Sequence, residues 1–259
     1  MKKILIAMFL LITMLACTPT AFAAPLVMSK MPFGKVTVHT ASGAGGVNAV
    51  VVENDKLVIF DAFEDKEDAQ AFKKFIESLG KPVDRIVLSH AHDHHFKGAE
   101  TVFINIAFYS VDAADINKQA PMNVQPLTDG QQVIDSVDYE FVTYRDLGAW
   151  VIKMPAQKMA MVHHLGYDGL HFPMPPMDAR LDILKGLERE GYSLYTGGHG
   201  KVLADKSIVQ LMTDYTKTVT EAVAANKDPQ GAKAAIMAKY PTWAGDGLLD
   251  RLLPLFYKQ

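Results

Sequence analysis

The sequence predicts an α/β chain folded as a four-layer sandwich, with helices outside two mixed sheets. Three observations predict it. The chain opens as a β-meander, an amphipathic helix then leads into a buried strand that ends in histidines, and a second set of strands gives way to helices alone.

The elements follow in order. Lys2 and Lys3 precede an apolar run from Ile4 to Ala16, and "TAFAAPL" follows with small residues at Ala21 and Ala23. Basic, apolar, then small is the order of a secretory signal peptide, and the run is too short to span a membrane as a mature helix. Residues 1–23 are therefore expected to be removed, leaving residues 24–259 as one domain in the periplasm or outside the cell. Lipid processing at Cys17 in "MLAC" is the alternative, and it would tether the chain to a membrane. Cys17 is the only cysteine, so a chain cleaved after Ala23 has neither disulfide nor thiolate, and a metal must be held by nitrogen and oxygen.

"KVTVHT", "VNAVVVEN" and "KLVIFDAF" read as strands, the last two joined by a tight turn at Asn54-Asp55. "DKEDAQAFKKFIESLG" carries acids in its first turn, Ala69, Phe72, Phe75 and Ile76 at helical spacing, and Gly80 at its end. "VDRIVLSH" is a buried strand. "TVFINIAFYS" suggests a short strand and "DAADINKQ" a helical piece, before strand signals return in "YEFVTYR", "AWVIKMP" and "KMAMVHH". "PPMDARLDILKGLEREG" is a helix with prolines before it and glycine after it, and "YSLYTGG" is another strand. The remainder is helical: about Lys206 to Asn226, "PQGAKAAIMAKY" and "DGLLDRLLPLFY". The formal net charge of −3 gives no basic footprint for a nucleic-acid partner. The expected partner is a small molecule.

Nine histidines are present, and seven fall at predicted strand ends, in "SHAHDHH", "MVHHLG" and "TGGHGK". Loops at strand ends are where a rigid scaffold displays ligands. His90 and His92, two apart on an extended segment, point to one side and can meet one cation, while His95 at the start of a turn can swing to a neighbouring position. His39 lies apart on the opening strand. His171 reads equally as a pocket wall or a ligand, and Tyr167 as a pocket wall or ordinary packing.

These segments resemble the metallo-β-lactamase superfamily, whose hallmark is H-x-H-x-D-H after a buried strand. "GGVNAVVVENDKLVIFDAF" is similar to its opening hairpin, including the aspartate, here Asp61, behind the metal site. "IVLSHAHDHHFKGAE" is similar to the hallmark loop, "VIKMPAQKMAMVHHLGYDGLH" to the hairpin that carries the bridging ligand, and "YTGGHGKV" to the final G-H-G. "AAIMAKYPTWAGDGLLDRLLPLFY" has the look of the helical tail of some hydrolase-like members.

The resemblance implies metal ligands at His90, His92, His95 and His199. The chain departs from the pattern elsewhere. His94 stands where the hallmark has aspartate, with Asp93 one place early, and His164 stands where a bridging carboxylate is expected. The third histidine of the first metal site is missing among Thr143, Tyr144, Arg145 and Asp146. The expected metal set is thus His90, His92, His94, His95, His164 and His199, with Asp93 and Asp146 as the candidate catalytic acids and Asp61 as the acceptor that orients a ligand imidazole. Two divalent ions sharing a hydroxide and two aspartates carry about +1, but with imidazoles in place of both acids about +3, which favours a single ion. The resemblance implies a zinc-dependent hydrolase of a small ester, lactone, amide or phosphoester, with one or two zinc ions. The alternatives are a non-catalytic exported metal-binding protein of the same fold, or a site for iron, copper or nickel.

Overall fold

The computed structural model describes residues 26–258 apart from 121, 202 and 203. The expected leader and Cys17 lie outside the described residues.

Two mixed sheets face each other, each with helices on its outer side. In the first, β1 (Val27–Phe33), β2 (Val36–Ser42), β3 (Asn48–Glu53) and β4 (Leu57–Phe60) form an antiparallel meander, and β5 (Val83–Val87), β6 (Phe108–Ser110) and β7 (Gln125–Pro126) extend it in parallel. The second runs in the spatial order β13 (Ala204–Asp205), β12 (Leu194–Thr196), β11 (Met159–His163), β10 (Ala149–Met154), β9 (Val137–Tyr144), β8 (Gly130–Ile134). Helices α1 (Lys66–Ser78), α2 (Ala99–Val102) and α3 (Ala113–Gln119) belong to the first half of the chain. The second half supplies α4 (Met177–Arg189), α5 (Ser207–Ala225), α6 (Pro229–Lys239) and α7 (Asp246–Leu252). Among the described residues, none of these helices is long and apolar enough to cross a membrane.

Strand alternation builds the layers. Val50 and Val52 of β3 meet Trp150, Ile152, Met159 and Met161 in the layer between the sheets. Ala49 and Val51 turn the other way, toward Phe72 and Ile76 of α1. Ala149, Val151, Ala160 and Val162 face Leu184, Tyr215 and Val219 of the second helical layer. Helix α1 starts where Asp65 accepts hydrogen bonds from the amides of Glu67 (2.8 Å) and Asp68 (3.0 Å), an N-cap worth about 1 kcal/mol. Fully burying Phe72 adds roughly 1.5–3 kcal/mol.

The structure departs from the sequence reading at β1, at β8, at the two-residue strands β7 and β13, and in the apolar run before β6. Strand β1 precedes the expected first strand, and its register with β2 runs unbroken from Val27↔Ser42 to Phe33↔Val36. Strand β8 was likewise unread, because "GQQVI" is half polar and lies at a sheet edge. The apolar run "TVFINIAFYS" is no continuous strand. Its first residues close α2, whose following Phe103 packs edge-on to Phe72 at 6.3 Å, and Asn105 takes a left-handed φ of 68° before β6 begins at Phe108.

Candidate metal centre

Four loops leave the strands at one edge of the sandwich, and each brings a functional side chain. The loop after β4 carries Asp61, the loop after β5 carries His90–His95, the end of β11 carries His163 and His164, and the loop after β12 carries His199. The last loop is laced to the β2–β3 connection. Asn48 donates from its amide to the Gly198 carbonyl (2.9 Å) and from its side chain to that of Gly197 (3.0 Å), while Gly200 N donates to the Gly46 carbonyl (3.0 Å). His199 is therefore held by backbone rather than by its own side chain.

The imidazoles form one cluster with two overlapping sets of four. His90, His94, His95 and His164 each offer a donor atom within 4.8 Å of the others, and so do His95, His163, His164 and His199. All four of the second set are buried. The structure brings together five of the six histidines expected as ligands. His92 lies beside them, its Nδ1 at 2.6 Å from His90 Nε2, and belongs to neither set.

The sequence reading assigned no role to His163. Its position follows from alternation: Met159 and Met161 of β11 face the layer between the sheets, and His163 continues that face into the cluster. His164, just past the strand, adopts a left-handed φ of 61° and turns its ring into the same cluster. Gly198 gives His163 room, because a Cβ there would lie 1.9 Å from His163 Cε1. This period-2 pattern was visible in "MAMVH".

Behind the imidazoles sits Asp61. Its Oδ2 is 3.1 Å from His95 Nδ1 and 3.9 Å from His163 Nδ1, and its Oδ1 accepts from the Ser89 amide at 2.7 Å. The His95 ring is close to this carboxylate but its N–H is not aimed along a hydrogen bond. Burial pushes Asp61 up to about 7, against the opposing pull of the Ser89 bonds. Among the described residues its only basic neighbours are these two imidazoles, so a cation in the cluster would supply the countercharge that a buried carboxylate requires.

Burial also lowers the imidazoles. His94 falls to about 4 and His199 to about 3, and His90, His95, His163 and His164 are lowered as well, with repulsion from neighbouring histidines as the next cause. At neutral pH the cluster is therefore unprotonated, the state in which imidazole coordinates. The donors fit a metal ion. His94 Nε2 and His199 Nε2 are buried without a hydrogen-bond partner, and His163 Nε2 faces His95 Nε2 at 3.1 Å. His164 donates Nδ1–H to the Gly148 carbonyl (3.2 Å), leaving its Nε2 lone pair free.

The two acids expected to act in catalysis are not drawn into the cluster. Asp93 pairs with Lys97 at 2.9 Å and its side chain is 44% exposed, because the 3-10 turn at Asp93–His95 directs His95 inward and Asp93 to solvent. Asp146 is exposed at the mouth of a cavity of about 520 Å³. That cavity opens beside the cluster and is lined by His90, His92, His163 and His164, with Arg145 and Arg180 on its walls. Arg180, buried on α4, donates to the carbonyls of His164 (3.1 Å), Met174 (3.2 Å) and Leu147, so it braces the loops that place His164 and its acceptor Gly148.

Tyr167 is buried beside the cluster, and Phe172 stacks on His164 at 5.6 Å. His171 points elsewhere, into a box of Tyr215, Tyr240 and Trp243. His39 bonds Glu53 at 2.7 Å, apart from the site as expected.

Residues 42–108 match the family model of the metallo-beta-lactamase superfamily, a span that includes Asp61 and the His90–His95 loop. Among solved structures, the metallo-beta-lactamase from Pontibacter korlensis is similar at 18% identity and a TM-score of 0.57, over 73% of this chain and 98% of that one. The metallo-beta-lactamase FIM-1 from Pseudomonas aeruginosa, in its mono-zinc form, is similar at 18% identity and a TM-score of 0.55, over 75% and 96%. No curated relative matches the sequence.

Proposed function

We propose that the chain is a member of the metallo-β-lactamase superfamily, whose model matches residues 42–108 and whose fold it shares, and that it is an exported metal-dependent hydrolase acting on a small ester, lactone, amide or phosphoester. The observation that carries this reading is the position of the cluster at the wall of an open cavity of about 520 Å³, where imidazole donors meet a space large enough for a small molecule. The donor set is all nitrogen, which suits zinc, copper or nickel and disfavours calcium or magnesium. A divalent ion held there supplies Lewis acidity and makes water a nucleophile near neutral pH.

The chain's own residues do the rest. The Gly148 carbonyl orients His164, Asp61 places a carboxylate 3.1 Å behind His95, and Arg180 holds the His164 loop in place. Asp146 and Arg145 stand at the cavity mouth, where they would meet substrate. The charge argument favours one ion, with zinc as first choice.

The test is elemental analysis of protein purified without added metal, followed by a panel of esters, lactones, β-lactams and phosphodiesters. Hydrolysis of at least one, abolished by His199→Ala, supports the proposal. Bound metal with no hydrolysis across the panel supports the second reading, a non-catalytic exported metal-binding protein. That reading is favoured by one observation: neither set of four donors contains a carboxylate. Export is part of both proposals. A mature chain starting at Ala24 supports it, and a lipid on Cys17 would replace a free protein with an anchored one.

A further inference from the structure

We infer that the resting seat of the ion is the deep set His95, His163, His164 and His199, with His163 as its fourth ligand and no coordination position left open. This rests on the metal reading of the cluster and goes beyond it in assigning the seat, its extra ligand and its closure.

Spacing is the first argument. The ring centroids are 4.4 Å apart for His95–His163 and His163–His164, 5.2 Å for His95–His199, 6.0 Å for His163–His199 and His164–His199, and 6.4 Å for His95–His164. Four imidazoles bound tetrahedrally to one zinc-sized ion have centroids about 5 Å apart, in the middle of this range. The 3.1 Å between His95 Nε2 and His163 Nε2 is near the roughly 3.4 Å that separates two nitrogens on one such ion.

Orientation is the second. His95 turns Nδ1 toward Asp61 and His164 gives Nδ1 to Gly148, so both present Nε2 inward, where His199 Nε2 lies buried without a partner. The competing set draws on His90 and His94, which are only partly buried, and the outer nitrogen of His90 turns to Ser89 Oγ (2.9 Å), whereas all four rings of the deep set are buried. Space is the third. Gly198 lets the His163 ring lie where any Cβ would collide with it, so the backbone itself accommodates an imidazole at this place.

Four protein nitrogens complete a tetrahedral ion, as in closed structural zinc sites, whereas a catalytic site keeps one position for water or substrate. Turnover at this seat therefore requires a fifth ligand or the release of one of the four.

The experiment is a Co²⁺ titration of the metal-free full chain, followed by visible absorption, with azide as a probe for an open position. The expected result is a tetrahedral spectrum complete at one equivalent and unchanged by azide. His163→Leu, which keeps much of the volume, should weaken Co²⁺ binding by more than about 100-fold, beyond the loss of an outer partner, and make the spectrum respond to azide. Gly198→Ala should act in the same direction while keeping the imidazole, and thermal melts of the metal-free variants verify that both fold. An azide response in the wild type, or unchanged affinity and spectrum in His163→Leu, would overturn the inference while leaving the metal reading intact. No uptake of Co²⁺, Zn²⁺ or Cu²⁺ by the wild type would instead remove the metal reading and this inference together.

Discussion

The chain buries histidines in two kinds of place, and the contrast between them separates a site from a core. His39 and His171 each sit apart from the other histidines, although His171 also keeps one ring nitrogen, Nε2, buried without a partner. His39 bonds Glu53 at 2.7 Å and packs edge-on to Phe75 at 5.4 Å, while His171 sits 3.3 Å from the Tyr215 hydroxyl inside an aromatic box. At the strand ends the rings have mainly one another. Apart from the contacts of His90 with Ser89, His95 with Asp61 and His164 with Gly148, their nitrogens face each other or lie unpartnered, and burial together with the crowding of like groups holds them neutral. Burial alone is therefore no mark of function; unpartnered donors that converge from separate strands are.

The sharpest way to break this comparison is to remove one histidine of each kind. His95→Ala should reduce metal affinity by more than about 100-fold, equivalent to about 2.7 kcal/mol, since His95 belongs to both donor sets. Equilibrium dialysis with Zn²⁺ measures it. Retention of wild-type affinity would return the cluster to ordinary packing. His171→Ala should leave metal affinity unchanged and lower folding stability by about 2 kcal/mol, because it empties the box that joins the loop after β11 to the C-terminal Tyr240–Trp243 segment. Denaturant unfolding is the check, and a change in metal content would erase the distinction between the two kinds of site.

Asp61 sharpens the comparison from behind the cluster. Asp61→Asn keeps the shape and the Ser89 bond but removes, among the described residues, the only buried carboxylate beside His95 and His163. Metal affinity should fall by about tenfold, in the range for outer partners of metal ligands. Competition with a chromophoric chelator reads it directly. Tighter binding in the variant would mean that the carboxylate does not support the ion.

Much of this was legible in the sequence because strand ends are legible. Buried apolar runs such as "DRIVLSH" and "KMAMVHH" declare where a strand stops, and polar residues beyond that point project from a fixed base. The fold class and five converging histidines follow from that rule. His163 did not, because the family pattern assigns one ligand at the end of that hairpin and His164 filled the role. Only counting alternation from Met159 assigns the face of its neighbour. Asp93 and Asp146 stand outside the cluster for the reverse reason. Proximity in sequence to a ligand says nothing about direction within a 3-10 turn, and a loop between β9 and β10 can present its acid to solvent. Strands β1 and β8 escaped because edge strands need bury little, and their patterns alternate weakly.

The smallest effect tests the ordinary side of the contrast. Glu53, at the end of β3, is held below the usual carboxylate range by hydrogen bonds from Lys81, which follows α1, and from His39 on β2, with burial opposing them. A carboxyl whose folded pKa is lowered stabilises the fold above its unfolded value near 4.5. That contribution is lost as pH falls through the lower folded value. Glu53→Gln should therefore cost stability at pH 6–7, by less than about 1 kcal/mol because the pair is partly solvated, and the gap to wild type should close under acid. Thermal melts of both proteins at several pH values, each in metal-free and metal-loaded form, make the measurement. The same gap should appear in both forms, since Glu53 and His39 are not coupled to the cluster. A gap that widens toward low pH would contradict the sign of the shift, and one that depends on metal would show that the two kinds of buried histidine are not independent.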